Sequence, residues 1–392
     1  MKSKIHRLLL RVYKRLFLLL GIVLPKKDNL IIFESFLGKQ YSDNPRALYE
    51  YLRSNYPSFQ MIWSVERSSL DHFRNYDVRY VRRFSLRWLY LMNRSKYWFS
   101  NSRLPLWVCK PNKTIYVQTW HGTPLKKLAL DMQKVHMPGT NTEKYKKNFV
   151  KATQKWDYLI SPNRYSTEIF RRAFQFENKI METGYPRNDY LVNENNVAEI
   201  NRIKQKMSLP KDKKVILYAP TWRDDEYHGR GRYKFNIPLN MDYMKESLGD
   251  EYIILFRMHY LIAEDLDLSS YNNFAFDASL HEDIRELYLI ADMLITDYSS
   301  VFFDYAILQR PMLFYVYDID TYRDQLRGFY IDFEREAPGP LVKSTESLVE
   351  EIKKIENNSA PTFESIKNFH ERFCALEDGR ASERVVKELF ET

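Results

Sequence analysis

Two successive series of short apolar runs, each broken by helix-like stretches, restrict what this 392-residue chain can become more than any other feature. The first series reads 30–34, 61–65, 78–81, 97–100, 115–119, 156–161 and 180–183. The second reads 215–219, 252–256, 274–276, 293–296 and 312–316. Runs of this length alternating with helical spacing predict parallel strands joined by crossover helices, and the polar stretch 193–206 parts the two series. The expected fold class is therefore α/β: two doubly wound, Rossmann-like domains facing a central cleft, residues 25–192 and 193–392, the second ending in a closing helix over about 365–390. The length suits two domains. With 44% hydrophobic and 28% charged residues the chain can bury a core, which excludes wholesale disorder.

Residues 1–24 stand apart. Lys2, Lys4, Arg7, Arg11, Lys14 and Arg15 are set among Ile5, Leu8, Leu9, Val12 and Leu16, and an apolar run continues to Leu24 before Pro25. That run is too short to span a bilayer, which needs about 20 residues. No small-residue cleavage site follows, so a secretory signal is not the reading. The segment is expected to form an amphipathic helix lying in the plane of an anionic membrane surface, and its bland alternative is a terminal helix packed on the protein itself.

The chain has 11 glycines, where average usage would give roughly 27. Neither G-x-G-x-x-G nor G-x-x-x-x-G-K-[ST] occurs, so phosphate would have to be held without a glycine loop. A formal charge of +9 and a pI near 9.1 favour an anionic partner: a nucleotide, a phosphorylated substrate, nucleic acid or an acidic bilayer. Cys109 and Cys374 are too few for a disulfide framework or a cysteine zinc site and suit a reducing compartment.

Ligands of doubly wound sheets bind beyond the carboxyl ends of strands, so polar residues just after an apolar run carry the strongest claim to chemistry. His121, in Gln118-Thr119-Trp120-His121-Gly122-Thr123-Pro124, is expected at a strand-to-helix turn with a helix beginning near Pro124. Neutral imidazole there could take a proton from a hydroxyl, or simply be a satisfied structural histidine. Arg257 and His259 alternate onto one face with Met258 opposite, which suits a diphosphate or a departing phosphate; an ion-paired arginine and a packed histidine are the alternative. Ser299 and Ser300 stand at a predicted helix start, either as an N-cap or as hydroxyls on a phosphate, and Asp304 follows one turn on, facing a ribose hydroxyl or complementing the first turn. Thr221 after Pro220, and Arg187 after Pro186, could reach a nucleotide or form surface salt bridges. The loop 34–45 suits acceptor binding.

Some patterns carry less. Asp318-Ile319-Asp320 has the D-x-D form of metal-dependent glycosyltransferases, but the spacing is common by chance. His281-Glu282 lacks the second histidine of a zinc protease, and no G-x-S-x-G is present.

Taken together, Gln118–Lys126, Gly184-Tyr185-Pro186-Arg187-Asn188-Asp189, Tyr218-Ala219-Pro220-Thr221-Trp222-Arg223, Arg257-Met258-His259 and Thr296-Asp297-Tyr298-Ser299-Ser300 resemble the teichoic acid glycerophosphotransferase family, over about residues 29–389. Arg327-Gly328-Phe329-Tyr330 and Pro338-Gly339-Pro340 add to the likeness. The resemblance implies a GT-B-like fold with CDP-glycerol held by the C-terminal half and the acceptor met by the N-terminal half. It further implies that Trp120, His121, Gly122, Thr123, Pro124, Arg187, Pro220, Thr221, Arg257, Met258, His259, Ser299, Ser300 and Asp304 line the CDP-glycerol site. The chain is most similar to the short members that add glycerol phosphate to a primed linkage unit, lacking the large extra N-terminal region of the long polymerases.

The expected reaction is attack by the terminal glycerol hydroxyl of a membrane-anchored linkage-unit acceptor on the phosphorus that bears glycerol in CDP-glycerol, with CMP leaving. His121 is the expected base and His259 the second catalytic histidine. No metal or other cofactor is expected. The expected partners are CDP-glycerol, an undecaprenyl-diphosphate-linked glycan and an anionic membrane, at the cytoplasmic side of the cell membrane as a peripheral protein. A GT-B glycosyltransferase using a nucleotide sugar is the alternative. A nucleic-acid binder is the other class, against which no recognised module is visible.

Overall fold

A computed structural model describes residues 2–135, 140–221, 237–258, 266–319, 328–357 and 362–391, with side chains of 2–5 and 362 excepted. The chain divides into two compact units. The first comprises residues 1–121, 128–189 and 376–392, the second residues 122–127 and 190–375. Residues 376–392 fall in the first unit, whereas the sequence places the closing helix in the second domain.

The first unit holds a parallel sheet of β1 (Lys27–Glu34), β2 (Gln60–Val65), β3 (Tyr80–Arg82), β4 (Ser95–Ser100), β5 (Ile115–Gln118), β6 (Tyr158–Ser161) and β7 (Lys179–Glu182), in the order β3-β2-β1-β4-β5-β6-β7. The register sets Phe33 between Trp63 and Phe99. The three rings stack abreast, with centroids 5.6 and 5.1 Å from that of Phe33. Phe33 is fully buried, so Phe33→Ala would cost about 3–5 kcal/mol. Gly184, just after β7, has φ +81, and a Cβ there would lie 2.8 Å from the Leu376 carbonyl, which is why the chain needs glycine where its C-terminal segment packs.

The second unit has a sheet of β8 (Lys214–Tyr218), β9 (Tyr252–Phe256), β10 (Ala275–Asp277), β11 (Met293–Thr296), β12 (Met312–Tyr315) and β13 (Leu341–Val342), ordered β10-β9-β8-β11-β12-β13 and again parallel throughout. Alternate residues Ile216 and Tyr218, Ile254 and Phe256, Met293 and Ile295, Leu313 and Tyr315 share one core cluster. The intervening Leu217, Leu255, Leu294 and Phe314 are buried too, as parallel strands covered on both faces require.

Two local expectations are corrected. No helix begins near Pro124: residues 122–127 form no helix, because the Lys127 N–H donates to the Gly328 carbonyl and the Leu125 carbonyl accepts from the Tyr330 N–H, both at 2.9 Å. The C-terminal helical stretch is two helices, Thr362–Phe373 and Ala381–Phe390. The polar stretch at 193–206 is mostly the helix Val197–Lys206, capped by Asn196.

Lys2–Val23 is a 22-residue helix. Its inner face places Phe17, fully buried, against Trp88 and Trp107 at 5.9 and 5.7 Å. Its outer face leaves Leu9, Leu19 and Ile22 exposed by 62, 59 and 82%. Among the described residues no helix is long and apolar enough to cross a membrane.

Candidate active site

The strand order of the first unit reverses between β1 and β4, and the loops that leave this switch point build one polar network. Asp43, at φ +63, opens the helix Asp43–Asn55. Its Oδ1 accepts from the Asn44 N–H at 2.8 Å and from Arg187 Nη1 at 2.7 Å, and its Oδ2 accepts from Asn101 Nδ2 at 2.6 Å. Asn101 Oδ1 accepts from the Phe36 N–H at 2.8 Å. Asn44 Nδ2 donates to the carbonyls of Thr119 and Trp120 at 3.1 and 3.2 Å, while its Oδ1 accepts from the Arg187 N–H. Every one of these side chains is buried. Such a network fixes geometry because each unmade bond in it would leave a costly buried polar group.

His121 is what the network holds. Its Nδ1 lies 2.8 Å from the Asn101 carbonyl, which can only accept, so Nδ1 carries the proton and the neutral ring keeps its lone pair on Nε2. Among the described residues the ring makes no other hydrogen bond. Trp120 lies beneath it, with ring centroids 4.5 Å apart, and Phe36 meets its edge at 5.9 Å. Trp120 adopts φ +51 and is anchored in turn by Phe174 at 4.6 Å and Phe170 at 5.8 Å. Solvent reaches one side of the imidazole, yet protein is crowded around it. Crowding governs charge, so burial holds its pKa below the ordinary 6.5, with nearby Asp43 and the Asn101 carbonyl pulling up and Arg187 and Arg103 pushing down. The result is an oriented, neutral base with solvent access for proton exchange.

The second unit has its own switch point, between β8 and β11. There the Thr221 N–H donates to Asp297 Oδ1 at 2.7 Å, tying the loop after β8 to the loop after β11. The Tyr298 hydroxyl donates to Asp318 at 3.1 Å, and its ring stacks on Phe329. Asp297 and Tyr298 thus shape the turn that presents Ser299 and Ser300. Ser300 sits in the right-handed region (φ −66, ψ 0), where its hydroxyl makes no capping bond, so the plain N-cap reading does not hold for it. Both serines are partly exposed, and neither hydroxyl has a hydrogen-bond partner among the described residues. Gly122 lies beside them: a Cβ on it would be 3.4 Å from Ser300 Oγ. Thr123 and Pro124 follow, buried in the same unit. Asp304 is buried in the short helix Val301–Tyr305, and Pro220 is partly exposed.

Arg257 departs from the simple diphosphate reading. Its Nη1 donates to the carbonyls of Ala278, Ser279 and His281 at 2.9, 2.5 and 2.6 Å, clamping the loop after β10. Nε and Nη2 have no hydrogen-bond partner among the described residues. Met258 points into the second unit's core, as strand alternation requires. His259, Trp222, Arg223, Asp320 and Arg327 lie outside the described residues. The structure therefore sets Trp120, His121 and Arg187 together in the first unit, and Gly122–Pro124, Pro220, Thr221, Arg257, Met258, Ser299, Ser300 and Asp304 in the second. Asp43, Asn44 and Asn101 were missed as His121's supports. The signal available was their place after the first and fourth apolar runs, Asn101 directly and Asp43 and Asn44 within the loop 34–45.

The model of the CDP-glycerol:poly(glycerophosphate) glycerophosphotransferase family matches residues 16–391. The chain belongs to that family. Two teichoic acid poly(glycerol phosphate) polymerases, from Bacillus subtilis strain 168 and Bacillus spizizenii, are each 57% identical to it over 98 and 99% of the chain. It spans about half of the first relative's length, 52%, and the whole of the second's. The solved structure of the wall teichoic acid polymerase TagF superposes with a TM-score of 0.90 at 45% identity, covering 99% of this chain and 95% of that one. Solved forms of that polymerase include a histidine-to-asparagine variant with CDPG. Family membership gives the glycerophosphotransferase class of enzyme, and the parallel α/β architecture agrees with this neighbour.

Proposed function

We propose that the chain transfers glycerol phosphate from CDP-glycerol to a membrane-anchored teichoic acid linkage unit ending in glycerol phosphate. The observation that carries the reading is the His121 tautomer, with an unprotonated Nε2 on a ring that burial keeps neutral. The acceptor hydroxyl gives its proton to Nε2 as its oxygen bonds to the glycerol-bearing phosphorus. The bond from that phosphorus to the bridging oxygen breaks, and CMP leaves with the electron pair. Ser299 and Ser300 hydroxyls, Thr221 and the remaining N–H groups of Arg257 hold the diphosphate, with His259 beside Arg257 on sequence grounds. Arg187 contributes through Asp43 to the setting of His121.

The acceptor's lipid anchor brings in the N-terminal helix. Leu9, Leu19 and Ile22 face outward from a helix that also carries Arg7, Arg11 and Arg15, a pattern suited to lying in the headgroup region of an anionic membrane.

The deciding experiment incubates purified protein with CDP-glycerol and a lipid-linked primed acceptor and reads product masses. Increments of one glycerol phosphate each, with CMP released, are expected, and their number gives the extent of extension. Absence of increments, or hexose addition when UDP-sugars are supplied instead, would overturn the proposal in favour of the glycosyltransferase reading.

A further inference from the structure

A cavity of about 650 Å³ lies at the C-terminal turns of the N-terminal helix, within the first unit, and takes no part in the reaction described above. One set of its lining residues is apolar: Leu18, Ile22, Val23 and Leu24, with Phe17 behind. The other carries Lys26, Lys110 and Lys113, with Asp28 as the one carboxylate. Lys110 already has Asp157 at 2.9 Å and the Thr114 carbonyl at 3.0 Å. Among the described residues, Lys26 has one hydrogen-bond partner, the Asn93 carbonyl. Burial first, then the neighbouring cations Arg94, Lys110 and Lys96, push its ammonium down to about 8. An ammonium crowded by like charges gains most from an arriving anion.

The two linings are complementary to a molecule with a phosphate at one end and hydrocarbon at the other. Ile22 and Val23, 82 and 73% exposed, continue the apolar lining onto the helix's outer face. We infer that this cavity is a subsite for one anionic glycerophospholipid, its phosphodiester against Lys26 and Lys113 and the start of an acyl chain along Leu18, Ile22 and Val23. The inference rests on the membrane reading given above and adds a specific headgroup contact to it. A free phosphate would leave the apolar lining uncovered, and a neutral lipid would leave the cations unopposed.

Cys109 also lines the cavity, and the chain's other cysteine, Cys374, is buried, so the native protein carries its own reporter. Maleimide labelling of Cys109 in the full chain should slow several-fold with dihexanoyl phosphatidylglycerol below its micelle concentration. Dihexanoyl phosphatidylcholine or inorganic phosphate at equal concentration should leave the rate unchanged. Lys26→Gln with Lys113→Gln should abolish the protection and weaken sedimentation with phosphatidylglycerol vesicles about tenfold or more, since each cation near such a surface contributes measurably. Lys144→Gln with Lys147→Gln, the same charge change on exposed residues elsewhere, should do neither. Equal protection by phosphatidylcholine or by inorganic phosphate, or protection that survives the Lys26 and Lys113 changes, overturns the subsite. Vesicle binding without any protection leaves the membrane reading standing and sinks the subsite; protection without vesicle binding does the reverse.

Discussion

The Asn101 carbonyl, 2.8 Å from His121 Nδ1, decides which nitrogen of that imidazole can act. A main-chain acceptor cannot be removed by changing a side chain, so the tautomer is built into the course of the loop after β4. Asn101's own side chain stabilises the same loop through Asp43.

Replacing the base tests this directly. His121→Ala should lower kcat by roughly 10²-fold or more. CDP-glycerol affinity by calorimetry should stay within about twofold, because the proposed phosphate contacts are elsewhere. Near-normal turnover would remove His121 from the chemistry.

Asp43 should appear in the pH profile. Burial holds the His121 pKa below 6.5, so the acid limb of kcat/KM should fall below pH 6.5, with activity lost as the ring protonates. Asp43 opposes that depression, and Arg187 and Arg103 reinforce it. Asp43→Asn should therefore move the acid limb to still lower pH, besides reducing Tm through loss of the buried Asp43–Arg187 ion pair. A limb at or above the wild-type position contradicts this electrostatic order.

Ser299 and Arg257 should separate cleanly. The Ser299 hydroxyl has no partner among the described residues, so Ser299→Ala should leave Tm unchanged while weakening CDP-glycerol binding about 3–10-fold, the worth of one hydrogen bond. Arg257→Lys loses a fork shared among three carbonyls. It should weaken binding and also speed amide exchange across residues 278–281. An Arg257→Lys protein with unchanged exchange would show that the clamp is not what holds that loop.

If hydroxyls and a guanidinium carry the phosphate charge as proposed, dialysis against EDTA should leave turnover within about twofold of the untreated enzyme. A loss restored by a divalent cation would place a metal in the reaction.

The N-terminal helix cannot simply be deleted, since Phe17 covers Trp88 and Trp107. Changing Leu9, Leu19 and Ile22 together to Ser leaves that inner face intact. The variant should keep its Tm and its activity on a soluble acceptor analogue but lose vesicle binding about tenfold or more, and the effect of salt on what remains should grow. Unaltered vesicle binding would mean the outer leucines serve another purpose.

Most of the strands could be read from the sequence because parallel strands buried on both faces are near-continuous apolar runs: 252–256 and 293–296 coincide with β9 and β11. Two-residue β13 escaped for want of any run. The helix expected at Pro124 failed because long-range pairing with Gly328 and Tyr330 occupies the backbone there, and no local pattern announces such a partner. The same limit hid the supports of His121. Asp43 and Asn101 are 58 residues apart and become neighbours only once β1 and β4 are known to be adjacent. Alternation sets Met258 on the face opposite Arg257, but it does not tell that three carbonyls wait for Arg257.

The strip 122–127 has a practical corollary for anyone cutting this protein into pieces. A fragment expressed as 190–375 would contain every strand of the second sheet yet omit the six residues that pair with Gly328 and Tyr330, leaving those main-chain groups bare. Supplying the missing hexapeptide in trans, or grafting it by circular permutation, is the rational way to obtain that half on its own.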